Sequence, residues 1–311
     1  MRPFDHRLSR RFPNDGQSDK LSLISNLTLK NNSFTSTNLL PIQDFKTFCM
    51  VDLQLTEDTA KEHRTKINRF LKWLSDRELS QNTIREYLIQ FTTKSAYTYA
   101  NQLKSLKVYC RDYLRKPQLV ETFKFPQIPF QPKTIASTKQ LRIFYAALET
   151  PKDKALFLVY ATSGLRRQEV LKLLIEQLDF KTCMISPKQH NGRTKHTWLT
   201  FFNAECAEIL KQYLDSRKDS NPKLFPMSRA IEDKLWDYSI EKTCIRITPQ
   251  VLRDWFCEEM GNRGVQDRYI DAFCGRLPKT VLARHYSDYS PKKMQKVYRK
   301  AKLKIGLLPC R

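Results

Sequence analysis

The sequence predicts a mainly helical fold with one small antiparallel β-sheet, split into a helical domain and a larger α+β domain. Three observations carry this. Apolar residues recur at helical spacing through 56–115 and again beyond Ser137. A proline-punctuated stretch, QLVETFKFPQIPFQPK, separates the two regions. The only run with strand character is a pair of short segments around the polar turn KQHNGRTK.

Taken in order, residues 1–45 are rich in Ser, Asn, Thr and basic side chains without apolar periodicity, and read as a flexible arm with a weak basic cluster at Arg7, Arg10 and Arg11. Residues 46–116 form the helical domain. Its first helix opens at Thr56 with acids in the first turn and buries Ile67, Phe70, Leu71 and Leu74; a second, Asn82–Phe91, buries Ile84, Tyr87, Leu88 and Phe91. A third, Ser95–Leu114, lines up Tyr99, Leu103, Leu106, Tyr109 and Tyr113, and carries Lys104, Lys107 and Arg111 on its flank. Pro117, Pro126, Pro129 and Pro132 rule out one continuous helix, so 117–136 is expected to be an extended linker.

The second domain, 137–311, starts with a helix marked by Leu141, Phe144, Tyr145 and Leu148, then a fully apolar one ending at Gly164. GLRRQEVLKL is a helix with Arg166, Arg167 and Glu169 in its first turn. Strands are expected at Met184–Ser186 and Thr197–Phe201, and helices at Ala204–Arg217, Ser228–Tyr238, Pro249–Gly261 and Thr280–Arg284. The last segment, PKKMQKVYRKAKLKI, sets Met294, Val297, Tyr298 and Ala301 on one face, which makes Tyr298 a packing residue.

The formal charge of +23 points to a polyanionic partner. Nucleic acid is favoured over membrane, because no apolar run approaches the roughly 18 residues that span a bilayer. The eight cysteines include no CxxC pair, so neither a zinc site nor a disulfide framework is indicated, and buried free thiols in a reducing interior are expected.

The chemistry concentrates in Thr248–Tyr289. Arg253 follows a Thr-Pro helix start among Val251, Leu252, Trp255 and Phe256; Arg276 lies on the turn made by Gly275; Tyr286 comes ten residues later. Two fixed cations near a phenol suggest phosphate chemistry.

GLRRQEVLKL, the strand pair around KQHNGRTK, TPQVLRDWF, FCGR and LARHY together resemble the ordered boxes of the tyrosine recombinase, or phage integrase, family. The resemblance covers about 137–302, and 56–115 is similar to that family's core-binding domain. Its departures from the common pattern are most similar to archaeal viral integrases.

What the resemblance implies is a site-specific DNA recombinase, DNA-associated in the cytoplasm, that cleaves and rejoins double-stranded DNA through a 3′-phosphotyrosyl intermediate. It implies a homotetramer on two duplexes, with no membrane, small-molecule substrate, metal or cofactor. Tyr286 matches the nucleophile. Arg166 and Arg253 match the two arginines that hold the phosphate, with Glu169 placed to orient Arg166 and Arg167 as its neighbouring alternative. Lys188 matches the lysine that protonates the leaving oxygen, with Lys195 as rival; Arg193 keeps its proton and cannot act as an acid.

Two positions depart from the family pattern. Gln250 stands where most relatives carry His or Lys, and Arg276 where His or Trp is usual. Neither is a competent base, so a third guanidinium is expected to stabilise the phenolate in part, or His285 or water to take the proton. General acid–base catalysis is worth about 10²–10⁴-fold, so a slower enzyme is expected. Tyr289 is an alternative phenol. A DNA-binding protein of this fold without turnover, and a type IB topoisomerase-like relaxase, are the alternative readings.

Overall fold

The computed structural model describes residues 42–187, 197–276, 278 and 280–307. The basic cluster of the arm and the whole turn KQHNGRTK, with Lys188, Arg193 and Lys195, lie outside the described residues. The chain divides into two compact units at Ile128/Pro129.

The first unit holds α1 (Ile42–Val51), α2 (Glu57–Leu74), α3 (Gln81–Ile89) and α4 (Ala96–Lys107). Thr56, Ser80 and Ser95 cap the last three of these, each side-chain oxygen accepting an amide that the helix leaves unpaired. Phe45, Ile67, Phe70, Ile84, Tyr87, Leu103, Leu106 and Tyr109 close the core, so the predicted stripes do face inward.

Three features differ from the sequence expectation. The helical unit gains α1, which takes up residues 42–45 of the expected arm, because Phe45 and Cys49 are buried against Tyr109 and its neighbours. The third helix changes to a π-helical stretch at Val108–Tyr113. And Pro117–Leu119 forms a 3₁₀ turn followed by fully buried Val120, so the first residues of the expected linker pack onto the helical core.

The second unit begins with α5 (Thr138–Ala146), whose Ser137 and Gln140 form a reciprocal capping box. Next comes α6 (Pro151–Ser163), buried at every position from Ala155 to Ser163 and therefore the helix around which this unit packs. Then follow α7 (Arg167–Lys172) and a three-stranded antiparallel sheet, β1 (Leu178–Asp179), β2 (Met184–Ile185) and β3 (Thr200–Phe201), in the order β1-β2-β3. Met184 pairs with Phe201 and Asp179 with Met184. Periodicity alone does not reveal β1, two half-buried residues long.

Helices α8 (Ala204–Ser216), α9 (Arg229–Thr243), α10 (Pro249–Asn262), α11 (Asp267–Phe273), α12 (Val281–His285) and α13 (Pro291–Ala301) complete the unit, with α8 and α10 against α6. Tyr298 on α13 is buried and donates to the Thr162 carbonyl at 2.7 Å, which makes it the packing residue expected. The segment after α13 is fastened too. The buried Glu205 carboxylate accepts the amides of Ile305, Gly306 and Leu307 at 2.7–2.8 Å, while Leu303 and Ile305 enter the core. Among the described residues no helix is long and apolar enough to cross a membrane.

Candidate active site

Gly164 starts the site. It ends α6 in the left-handed conformation, φ 66°, and a Cβ there would come within 2.6 Å of the Phe256 ring. Only glycine lets α6 and α10 approach this closely. The approach brings the Gly164 carbonyl to the guanidinium of Arg253, which donates to it through Nη1 and to the Cys274 carbonyl through Nη2 at 2.8 Å.

Arg253 is only 5% exposed. Burial, with the nearby charges of Arg166 and Arg276, pushes its guanidinium below the usual arginine range. The guanidinium is held at two points. Arg166 and Arg253 share one neighbourhood through the consecutive Cys274 and Gly275 carbonyls, and Arg276 is the next residue in the chain.

Arg166 is the N-cap residue of α7. Its amide donates to Glu169 Oε2 at 2.6 Å, and its Nη1 donates to Glu169 Oε1 at 3.2 Å. Thr197 Oγ1, at 2.9 Å, donates to the same carboxylate oxygen. Glu169 therefore fixes the backbone and the side chain of Arg166 together. Nη2 of Arg166 reaches the Gly275 carbonyl at 3.3 Å. Arg167 turns the other way, to the buried Glu232 at 2.5 Å and to Asp233 at 2.6 Å. Glu232 also accepts from Tyr160 Oη and Trp236 Nε1, so Arg167 is bound into a core network and is not available to a ligand.

Arg276 follows Gly275, whose φ of 60° turns the chain after α11. Its Nη1 pairs with Asp271 at 2.8 Å, and that hydrogen bond raises its affinity for its proton. Gln250 lies exposed on the first turn of α10 and donates to Asp254 Oδ1 at 2.8 Å. A cavity of about 420 Å³ opens beside them, lined by Asp254, Cys257, Asp271 and Arg276 with Lys133 and Ile135.

Tyr286 stands just past the last residue of α12 and is 76% exposed. Among the described residues its phenol makes no hydrogen bond, and no contact ties it to Arg166, Arg253 or Arg276. The structure thus gathers the three arginines and leaves the phenol in solvent. Tyr289, the alternative, differs sharply. Its ring is wedged between Trp198 and Tyr269, at 5.9 and 6.0 Å, and its hydroxyl is buried without a partner among the described residues.

Sequence reasoning did not find the carbonyl clamp or Thr197. Backbone acceptors carry no side-chain signal, and Thr197 lies 28 residues from Glu169. The contact of Cys257 and Cys274 was equally hidden.

A cluster of guanidiniums built from the turn after α6, α10 and the turn after α11, with an exposed tyrosine later in the chain, matches the order in which the sequence motifs run. The model of the phage integrase family matches residues 136–292, half of the chain. The chain belongs to the phage integrase family. Its relatives include the tyrosine recombinase XerA of Thermococcus onnurineus, 25% identical over 86% of this chain and 97% of that one. The XerA of Pyrococcus horikoshii is 29% identical over 59% of this chain and 66% of that one. Among solved structures, the integrase of transposon Tn1549, in complex with circular intermediate DNA, covers 82% of this integrase-family chain and 98% of its own, with TM-score 0.59 and 15% identity. The XerH recombinase bound to its difH substrate covers 83% of this chain and 80% of its own, with TM-score 0.55 and 13% identity. These two likenesses establish the tyrosine-recombinase fold.

Proposed function

We propose that this protein is a site-specific DNA recombinase in which Tyr286 attacks a phosphodiester of duplex DNA. The observation that carries the reading is the anchoring of Arg166 and Arg253 to adjacent carbonyls. Guanidiniums held on one side by protein acceptors present their remaining N–H groups to a ligand in fixed geometry, and planar forks suit phosphate oxygens. The phenol oxygen bonds to phosphorus as the bond to the 5′-oxygen breaks, leaving a 3′-phosphotyrosyl ester and a free 5′-hydroxyl. The ester keeps the energy of the broken bond, so a hydroxyl from another strand reseals the DNA without a nucleotide cofactor.

In this reading Arg166 and Arg253 bind the phosphate and stabilise its developing charge, with Arg276 adding a third cation. Lys188 protonates the leaving oxygen. Gln250 serves as a hydrogen-bond donor to the phosphate once released from Asp254. The exposed phenol swings toward the arginines when DNA is bound, and its proton leaves to water or His285. Four copies on two duplexes complete the exchange.

A duplex nicked beside the scissile phosphate tests this, because the short fragment diffuses away and traps the covalent species. Protein–DNA adduct with the wild type and none with Tyr286→Phe is expected; adduct with the phenylalanine variant overturns the assignment. Joining of the trapped strand to a second duplex separates a recombinase from a relaxase. A passive DNA binder would give no adduct at all, a reading favoured by the engagement of Gln250 and Arg276 with Asp254 and Asp271.

A further inference from the structure

Two cysteines meet behind the arginines. Cys257 Sγ on α10 and Cys274 Sγ at the end of α11 lie 3.4 Å apart. A disulfide bond is about 2.05 Å long, so the sulfurs need approach by only roughly 1.4 Å. The surroundings are unequal. Cys274 is buried, with Gly164 against it, whereas Cys257 is half-buried and lines the cavity that Arg276 also lines. An oxidant entering that cavity meets Cys257 first.

Cys274 belongs to the arginine clamp, and Cys257 lies against it. Cys257 follows Arg253 by one helical turn and so lies on the same face of α10. Cys274 offers the carbonyl that holds Arg253, and its neighbour Gly275 offers the one that holds Arg166. A bond between the two sulfurs would therefore tether α10 directly to the adjacent carbonyls from which both guanidiniums hang. The neighbouring charges favour reaction as well. The hydrogen bond with Cys274, and then the cations of Arg276 and Arg253, push the Cys257 thiol below its ordinary value, which favours the nucleophilic thiolate.

We propose that Cys257 and Cys274 form a reversible redox pair, closed by oxidants of the peroxide class, that displaces the carbonyls holding Arg166 and Arg253. The Cys257 thiolate attacks a peroxide oxygen, giving a sulfenic acid and, from hydrogen peroxide, one hydroxide that takes a proton to become water. The Cys274 sulfur then attacks the sulfenic sulfur, expelling the second water and forming the disulfide. Each sulfur gives up one electron, and hydrogen peroxide takes up both. A dithiol reductant reverses the step by thiol–disulfide exchange. The consequence for DNA cleavage rests on the function proposed above; the crosslink does not.

The test treats the full chain with hydrogen peroxide, alkylates free thiols and maps the peptides by mass. A Cys257–Cys274 linked peptide that dithiothreitol releases is expected. Two alkylated cysteines, or Cys257 over-oxidised without a link, overturn the pair. The effect on the clamp is read without DNA, by hydrogen exchange at the Arg276 amide, which donates to the Asp271 carbonyl at 2.8 Å in the reduced protein. A change of about tenfold or more on oxidation supports the displacement, and unchanged exchange overturns it. On the nicked duplex, oxidation should slow adduct formation by about 10²-fold, the effect of a misplacement of about 1 Å, with recovery on reduction. Cys257→Ser should keep its activity through the same treatment. A linked protein that cleaves at full speed overturns the switch. Cleavage absent even when reduced tells against the proposed recombinase, while the peptide map and hydrogen exchange still decide the redox pair.

Discussion

Arg166 and Arg253 hang from neighbouring carbonyls. Nη2 of Arg253 donates to Cys274 at 2.8 Å, and Nη2 of Arg166 donates to Gly275 at 3.3 Å. Two consecutive peptide units therefore set the distance between two guanidiniums that come from different helices. The left-handed turn at Gly275, φ 60°, positions those units. Two like charges are held together because each has a backbone oxygen to donate to.

Replacing Arg253 by Lys should separate charge from geometry. An ammonium can reach one carbonyl but cannot span Gly164 and Cys274 in a plane. Leaving one buried carbonyl unpaired costs about 1–3 kcal/mol, visible as a lower melting temperature. Adduct formation on the nicked duplex should fall by about 10²–10³-fold, the range for losing one preorganised donor. A lysine variant that cleaves as fast as the wild type would show that the two-point attachment is irrelevant to the chemistry.

Glu169 supports a second prediction. Its carboxylate accepts from the Arg166 amide, Arg166 Nη1 and Thr197 Oγ1. Glu169→Gln retains an acceptor for the α7 cap but loses the ionic pull on the guanidinium, so stability should change by less than about 1 kcal/mol. Adduct formation should fall well beyond the effect on stability. Glu169→Ala should lose both. Wild-type cleavage by Glu169→Gln would mean that Glu169 acts only as a cap.

The two tyrosines of the C-terminal segment should behave in opposite ways. Tyr298→Phe removes the hydroxyl that pairs with the Thr162 carbonyl inside the core, near the packed rings of Phe201 and Phe273. It should lower stability by about 1 kcal/mol and leave cleavage intact. Tyr286→Phe touches an exposed side chain, so it should leave stability unchanged and abolish the adduct. Calorimetry and the nicked-duplex assay on both variants resolve the pair.

How much of this was legible in the sequence follows from what kind of contact does the work. The helices were legible because burial imposes a period: Ile67, Phe70 and Leu74 face inward, as do Ile84, Tyr87 and Leu88. Caps at Thr56 and Thr248 and the turn at Gly164 were legible because few residue types satisfy those positions. Arg166 was legible through its motif and the i+3 carboxylate. What could not be read were contacts between a side chain and a distant backbone atom: Arg253 on Gly164, Arg166 on Gly275, Glu205 on the amides of Ile305 to Leu307. Helix α1 was hidden for another reason. Its core residues, Phe45 and Cys49, are too few to stand out beside a polar leader.

His63 in the helical unit gives a pH dependence. Its Nδ1 lies 2.8 Å from Ser105 Oγ, and that hydroxyl already donates to the Asn101 carbonyl. Ser105 therefore accepts, Nδ1 carries the proton, and Nε2 is left buried without a partner among the described residues. A second proton would create a buried cation with no acceptor, near Lys66 and Lys104. Burial first, and those lysines second, hold the histidine below its ordinary value of 6.5. The unfolded chain then binds a proton that the folded unit refuses. The stability contribution is complete above pH 6.5 and is lost as the pH falls below that value toward the depressed folded one. The protection factors of amides in α2 and α4, which correct for intrinsic exchange, should therefore fall as the pH drops below 6.5. The limiting slope is about 1.4 kcal/mol per pH unit. His63→Gln, which can still donate to Ser105, should flatten the profile in that window; an identical slope in the variant would assign the loss to another group.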